Sequence, residues 1–289
     1  MVIVRIWEGL GNQLFQYAYA WALQKRLAAK VYLDVRHCNK GDLAFEAEDI
    51  VKRKLGLQHF TISMKSIHTD KISSLRCLEG RNIIEQINYL LLKQNVGKWK
   101  IVDDAESKTV VCAEILNPGD FSYINAHCVH RRYYEEYRDG LLNEYRLKNE
   151  LILSEKLKYI LENKNTVSVH IRLTDYLENP KAVCRQKYYD RAIRYIEDRT
   201  DHLHFIVFTD DPHMAKERYK FKDNVYWVYE DGYADYEELM IMSKCHHNII
   251  AGSTFSYWGA WLNQNPEKIV VAPKGMVAER AYERDWKVL

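Results

Sequence analysis

Between Val167 and Ala272 short apolar runs alternate with longer amphipathic stretches, and that alternation confines the chain to a layered α/β fold. Val167 to Ile171, His204 to Phe208, Val225 to Val228, Asn248 to Ala251 and Ile269 to Ala272 read as strands. Tyr188 to Asp198, Pro212 to Tyr219, Tyr236 to Ser243 and Tyr257 to Leu262 read as the helices between them. Strands that are apolar along their whole length are buried on both faces, which predicts a parallel sheet covered by helices. Ligands of such sheets sit beyond the carboxyl ends of the strands. The residues that follow each strand are therefore the first candidates for a site.

The N-terminal half starts in the same way. Val2 to Ile6 reads as a strand, Glu8 to Asn12 as a glycine-rich turn, Gln13 to Ala29 as a helix and Val31 to Val35 as a second strand. Beyond residue 40 the rhythm weakens. Leu55 to Phe60 and Ile83 to Leu92 carry apolar residues without a clear order. Val110 to Leu116 reads as a strand, Tyr133 to Leu147 as a solvated helix and Leu151 to Leu161 as another helix. The break at Glu162–Asn165 and the change of rhythm place a domain change near 150, giving an N-terminal domain 1–150 and a C-terminal domain 151–289.

Bulk charge excludes one class of partner. With 42 basic and 40 acidic residues the formal net charge is +2, so no global field draws in nucleic acid, and any anion must be held locally. Six scattered cysteines contain no close pair, which argues against a zinc site or a dense disulfide framework and suggests a reduced, cytoplasmic setting. The start of the chain does not read as a signal peptide, and no run approaches the ~18 apolar residues of a membrane span. A cytoplasmic location is expected, with room for peripheral contact with a membrane-linked glycan. The 21 tyrosines and 7 tryptophans are compatible with sugar binding, although aromatic residues also fill cores.

Three strand ends carry chemistry. His170 and Arg172 close the first strand of the second half, where a guanidinium can clamp a phosphate. Asp210 and Asp211 follow the next strand and suit a ribose hydroxyl or the N–H donors of a guanine. Ser253, Thr254, Phe255 and Ser256 open a helix whose backbone amides and dipole favour an anion. Together they describe a nucleotide-diphosphate pocket. Each has a plainer reading: a surface ion pair for Arg172, a helix cap or a magnesium pair for the aspartates, a helix cap for the serines. Cys245-His246-His247 looks like a metal cluster, but adjacent histidines on a helix point apart.

Gly9-Leu10-Gly11-Asn12-Gln13-Leu14-Phe15-Gln16 resembles the opening motif of the bacterial α-1,2-fucosyltransferases, glycosyltransferase family 11. His170-Ile171-Arg172 with Asp175-Tyr176 is similar to that family's His-x-Arg-Arg-x-Asp-Tyr motif. Phe205 to Asp211 is similar to its second motif. The run from Leu239 to Pro273 resembles the family throughout, including Ser253-Thr254-Phe255-Ser256 and Trp258-Gly259-Ala260-Trp261. The resemblance implies a GT-B architecture, two Rossmann-like domains facing each other across a cleft. The donor GDP-fucose would lie on the C-terminal domain, and the Gly9, Gly11, Asn12 and Gln13 loop would help hold the acceptor. It implies an inverting, metal-independent transfer with no cofactor, from GDP-fucose to the 2-hydroxyl of a galactose. Two departures stand out: Leu173 replaces the motif's second arginine, and Thr174 a common glycine. Tyr123 to Val129 also differs from the family's usual Gly-Tyr-Trp-Gln.

In the mechanism that follows, Arg172 and the Ser253–Ser256 amides stabilise the departing diphosphate. Asp175 takes the acceptor's proton or, equally, orients Arg172. The rival readings are a related transferase with another GDP-sugar or acceptor, and a noncatalytic nucleotide- or sugar-binding protein.

Overall fold

The structure, a computed structural model, describes residues 1–39, 54–67, 75, 84, 87–88, 90–91, 94, 98–103, 113–174, 183–221 and 224–289. The chain divides into two compact units, Met1–Lys148 and Asn149–Leu289. Each is built on one wholly parallel sheet.

Among the described residues the first sheet has four strands in the order β2-β1-β4-β3: β1 (Val2–Arg5), β2 (Val31–Asp34), β3 (Lys100–Asp103) and β4 (Ser122–Asn125). Helix α1 (Leu10–Leu27) joins β1 to β2 and is buried without interruption from Gln13 to Leu23. A helix apolar around most of its circumference is a core helix, and Phe15, Tyr17 and Tyr19 pack against Tyr134, Tyr145 and Tyr133. Those tyrosines correct the reading of 133–147 as a solvated helix. The segment is two short 3-10 turns followed by a helix only at Arg138–Glu144, and Tyr133, Tyr134 and Tyr145 are buried under α1. The expected strand at Val110–Leu116 is also corrected: Ala113–Leu116 is helical with only Ile115 buried, while 110–112 lie outside the described residues. Gly56–His59 is a 3-10 turn, and of Ile83–Leu92 only scattered helical positions are described.

Among the described residues the second sheet has six strands in the order β10-β9-β8-β5-β6-β7. They are β5 (Asn165–Ile171), β6 (Leu203–Thr209), β7 (Val225–Trp227), β8 (His247–Ile249), β9 (Val270–Ala272) and β10 (Lys287–Val288). The helices between them span Gln186–Glu197, Pro212–Arg218, Asp235–Lys244 and Thr254–Leu262. Side chains alternate across β6: Phe205 and Val207 enter one core with Val169, Ile171 and Tyr189, while Ile206 and Phe208 enter another with Leu157, Ile241 and Met242. The Asp235–Lys244 and Thr254–Leu262 helices pack closely at Gly259, where an added Cβ would lie 2.8 Å from the Met242 Cβ. No helix among the described residues is long and apolar enough to cross a membrane.

Candidate functional site

Strand order locates the crevice in each sheet. In the second sheet the chain runs β5, β6, β7 toward one edge and then β8, β9, β10 toward the other. The order reverses between β5 and β8, and loops leaving those two strands diverge, which opens a crevice at their carboxyl ends. His170 and Arg172 leave β5 there. The loop Ile250–Ser253 and the helix Thr254–Leu262 leave β8 there.

Alternation continues one pleat beyond β5. Ile171 and Leu173 are fully buried in the core beside Tyr189 and Ala192. His170 and Arg172 occupy the opposite face, and the His170 ring lies 5.6 Å from that of Phe255, in the first turn of the Thr254–Leu262 helix. Leu173 is thus a core residue, and the motif position that carries arginine in the family points here into packed apolar side chains.

The His170 imidazole is buried, and its Nδ1 has no hydrogen-bond partner. Burial, followed by the charge of Arg172, pushes its pKa down to about 3 against a smaller opposing pull from Asp210. It is neutral at physiological pH. Buried polar nitrogens are normally satisfied, so an open one at a strand end is a candidate contact for a ligand atom. The neighbouring helix end supplies amides. Ser253 caps it, its Oγ accepting from the Phe255 N–H at 3.2 Å, and the Tyr257 N–H donates to the Ser253 carbonyl at 3.2 Å. The Thr254 and Ser256 N–H groups belong to the first turn, which has no intrahelical acceptor for them. Ser256 itself is buried, its hydroxyl directed at the Ala251 and Ser253 carbonyls. Of the Ser253–Ser256 set, then, the Ser253 and Ser256 hydroxyls are engaged within the protein.

Asp210 and Asp211 both serve the protein's own structure. Asp211 caps the Pro212–Arg218 helix, accepting the Met214 N–H at 2.9 Å. Asp210 accepts four donors: the Leu173 N–H at 2.9 Å, the Thr174 N–H at 3.1 Å, the Thr174 hydroxyl at 2.5 Å and Arg172 Nη1 at 3.1 Å. Burial alone would raise its pKa, but the Thr174 hydrogen bond, the Arg172 charge and the Leu173 N–H outweigh it and hold the carboxyl below its ordinary range. Asp210 therefore ties down the turn that presents Arg172. Asp175 and Tyr176 lie outside the described residues. Among the described residues no three His, Cys, Asp or Glu side chains gather as a metal site, and Cys38, Cys128, Cys184 and Cys245 form no disulfide.

Sequence reading missed Glu238. It lies on the Asp235–Lys244 helix, and burial, with the charges of Asp235 and Asp210, raises its pKa to about 7. Nothing in a run such as Tyr236-Glu237-Glu238-Leu239 distinguishes it from an ordinary surface glutamate. It also missed Asn248 and Asn263, whose buried amides join Ser168 Oγ and the Cys245 carbonyl beneath the same helix at 2.7 and 2.8 Å.

The glycine turn differs from its expected form. Helix α1 starts at Leu10, so Gly9 is its N-cap and Gly11, Asn12 and Gln13 are already helical. Gly9 has an ordinary φ of −71°, and the left-handed residue of the turn is Glu8, with φ +63°. Gln13 is buried and braces the turn, its amide donating to the Glu8 and Lys54 carbonyls at 2.8 and 2.9 Å and its carbonyl accepting the Gly56 N–H at 2.9 Å.

The model of the family described as Glycosyl transferase family 11 matches residues 1–288. The O-antigen biosynthesis glycosyltransferase WbnK of Escherichia coli is 34% identical, the match covering 92% of this chain and 91% of that protein. An α-1,2-colitosyltransferase of Escherichia coli is 29% identical over 94% of this chain and 91% of its own. The fold is shared with the α-1,6-fucosyltransferase NodZ solved after soaking with GDP-fucose, at a TM-score of 0.50, 16% identity, and coverage of 90% of this chain and 91% of that one.

Proposed function

The chain belongs to glycosyl transferase family 11 and has that family's GT-B-type α/β fold; from this premise we propose that it transfers L-fucose from GDP-fucose to the 2-hydroxyl of a galactose-type acceptor, inverting the anomeric carbon without a metal ion. The observation that carries the donor half of this reading is the cradle at the β5/β8 crevice. Arg172, the open Nδ1 of a neutral, buried His170 and the first-turn amides of the Thr254–Leu262 helix converge on one side of the sheet. The guanidinium and the helix amides favour negative charge, and a diphosphate offers acceptors to both. As the bond to the sugar breaks, negative charge grows on the departing diphosphate. One fixed charged contact to such a centre is typically worth about 2–4 kcal/mol of barrier. The metal-free reading rests on these groups and on Asp210, whose carboxylate is already engaged by four protein donors. Asp211 caps its helix through Oδ1 and still offers Oδ2 to a ribose hydroxyl.

A second donor is favoured by one specific observation: a relative 29% identical carries a colitosyl and not a fucosyl name. The test is a screen of GDP-sugars for GDP release, followed by linkage analysis of products formed on galactose-terminated acceptors. GDP-fucose is expected to turn over fastest. A chain that binds GDP yet releases none from any GDP-sugar is a binding protein, and the transferase reading then fails. His170→Phe keeps a ring against Phe255 while removing Nδ1, and it should weaken GDP binding about 10- to 100-fold, as expected for one lost hydrogen bond to a charged group.

A further inference from the structure

Seven large apolar side chains stand exposed among the described residues, and four of them lie within one short stretch: Ile84, Ile87, Leu90 and Leu91, which are 66%, 52%, 59% and 41% exposed. All four are helical positions, and the Gln94 N–H donates to the Leu90 carbonyl at 3.2 Å, the bond of an α-helix. At helical spacing the four side chains fall on one stripe about 120° wide. Such a stripe ordinarily faces the core. Here it faces solvent, while Leu75 and Trp99, on either side of it in the chain, are the residues that pack with Ile3 and Tyr123.

The stripe leads into a basic edge. Gln94 is four residues from Lys98, so their Cα atoms lie within about 14 Å. Lys98 and Lys100 enter β3 at the amino edge of the first sheet, with Lys98 Nζ 3.9 Å from the centroid of the half-buried Phe121 ring. Helix α1 ends at the same edge, just before β2, and brings Lys25, Arg26 and Lys30, with Leu27 39% exposed among them. Against these cations stand Glu114 and Asp120, on the connection into β4. The sequence from Lys71 to Lys100, which spans the stripe, holds six basic and two acidic residues, in a chain whose net charge is only +2.

We propose that this face of the first unit docks on an anionic membrane surface, with the Ile and Leu stripe in the headgroup and upper acyl region and the lysines against lipid phosphates. A helix of this size, about 16 Å long, reaches half of the ~30 Å hydrocarbon core, so it lies along the surface. Four aliphatic side chains suit a fluid acyl surface, whereas a protein partner draws its binding energy from Trp, Tyr and Arg anchors. A second copy of the same face would bring like charges together. The docking is independent of which sugar is transferred.

The full chain is floated with vesicles of phosphatidylcholine alone and of phosphatidylcholine with about 30% phosphatidylglycerol. It should bind the anionic vesicles at least tenfold more tightly, and raising sodium chloride from about 0.05 to 0.5 M should weaken that binding at least fivefold. Ile87→Glu with Leu91→Glu should weaken it at least tenfold and leave Tm within about 2 °C, because both side chains are exposed. Ile152→Glu with Tyr159→Glu adds the same charge at two exposed apolar residues of the second unit, and should leave binding within about threefold. Ile87→Trp, a ring suited to the headgroup level, should bind at least as tightly as the original. The inference is overturned if the unaltered chain floats with neither vesicle, if it binds both equally, or if the Ile87/Leu91 variant binds as the original does. A control variant that loses as much, or a weaker Ile87→Trp, also overturns it. An Ile87/Leu91 variant that melts several degrees lower shows a stripe packed within the protein. A solution dimer that the same variant splits, in sedimentation velocity, shows a stripe covered by a second copy. Either result overturns the membrane reading.

Discussion

Leu173→Arg restores the residue that the family motif carries, and the structure predicts that this harms the protein. Leu173 has no exposed surface and shares a core with Ile171, Tyr189 and Ala192. Removing a fully buried leucine forfeits about 1.5–3 kcal/mol of apolar burial. Forcing a longer side chain into a packed core adds about 1–3 kcal/mol. An ion taken out of water without a partner adds several more, and Asp210, the carboxylate that binds the Leu173 N–H, already holds four donors. Partial escape of the guanidinium toward solvent lowers the sum, leaving a loss of about 5 kcal/mol or more, comparable with the whole stability of a marginal domain. For a unit of this size that corresponds to a fall in Tm of roughly 10–20 °C. Thermal melting followed by circular dichroism measures it, with Leu173→Met as the volume-conserving control, expected within about 1.5 kcal/mol of the original. GDP affinity, by calorimetry at a temperature where the variant is folded, should not improve by more than tenfold, about 1.4 kcal/mol. A variant that melts within about 3 °C of the original, or binds GDP far tighter, would refute the placement of Leu173 in the core and return its position to the diphosphate.

Arg172→Ala should slow GDP-sugar turnover by about 30- to 1000-fold, the equivalent of 2–4 kcal/mol; steady-state kinetics showing less than about a threefold change in a folded variant would place Arg172 away from the diphosphate. Chelation with EDTA should leave turnover within about twofold, and an activity abolished by EDTA and restored by magnesium or manganese would sink the metal-free mechanism. Glu238, whose folded pKa is raised to about 7 by burial and by Asp235 and Asp210, should make stability fall as pH rises from about 4.5 to 7, since only the folded state holds the proton there. Glu238→Gln should therefore melt close to the original at pH 4.5 and above it at pH 8; a melting difference that does not change with pH would show that Glu238 is not buried among acids.

The second sheet was legible because its strands are buried on both faces and so are apolar along their length. Val167 to Ile171 and His204 to Phe208 need no neighbour to declare themselves. In the first unit β3 and β4 are each four residues with polar ends, Lys100 and Asp103, Ser122 and Asn125. Their strand character comes from pairing, β3 with β4 and β4 with β1, which is a tertiary fact. The same limit applies to side chains. Arg172 and Leu173 lie on opposite faces by strand alternation, which is a local rule. That Glu8 and not a glycine takes the left-handed position, and that His127 reaches it from a loop 119 residues away, has no local signature. Neither has the engagement of Asp210 by the turn of Leu173 and Thr174.

That engagement explains how an ion pair can stand in the middle of the proposed diphosphate site. Arg172 and Asp210 attract each other at 3.1 Å, and a diphosphate must compete for the guanidinium. If Arg172 were the carboxylate's main partner, releasing it would leave a half-buried negative charge beside an incoming dianion, and binding would suffer twice. Here Asp210 keeps three other donors, two backbone N–H groups and a hydroxyl, when Arg172 turns away. A carboxylate with three hydrogen bonds in fixed geometry remains well solvated by the protein. Releasing the guanidinium from Asp210 thus leaves the carboxylate with its other donors in place. The phosphates offer the same guanidinium a stronger, charge-assisted and bidentate pairing in return. Thr174 supplies two of the three retained bonds, and its hydroxyl bond is the one that a glycine at this position could not make.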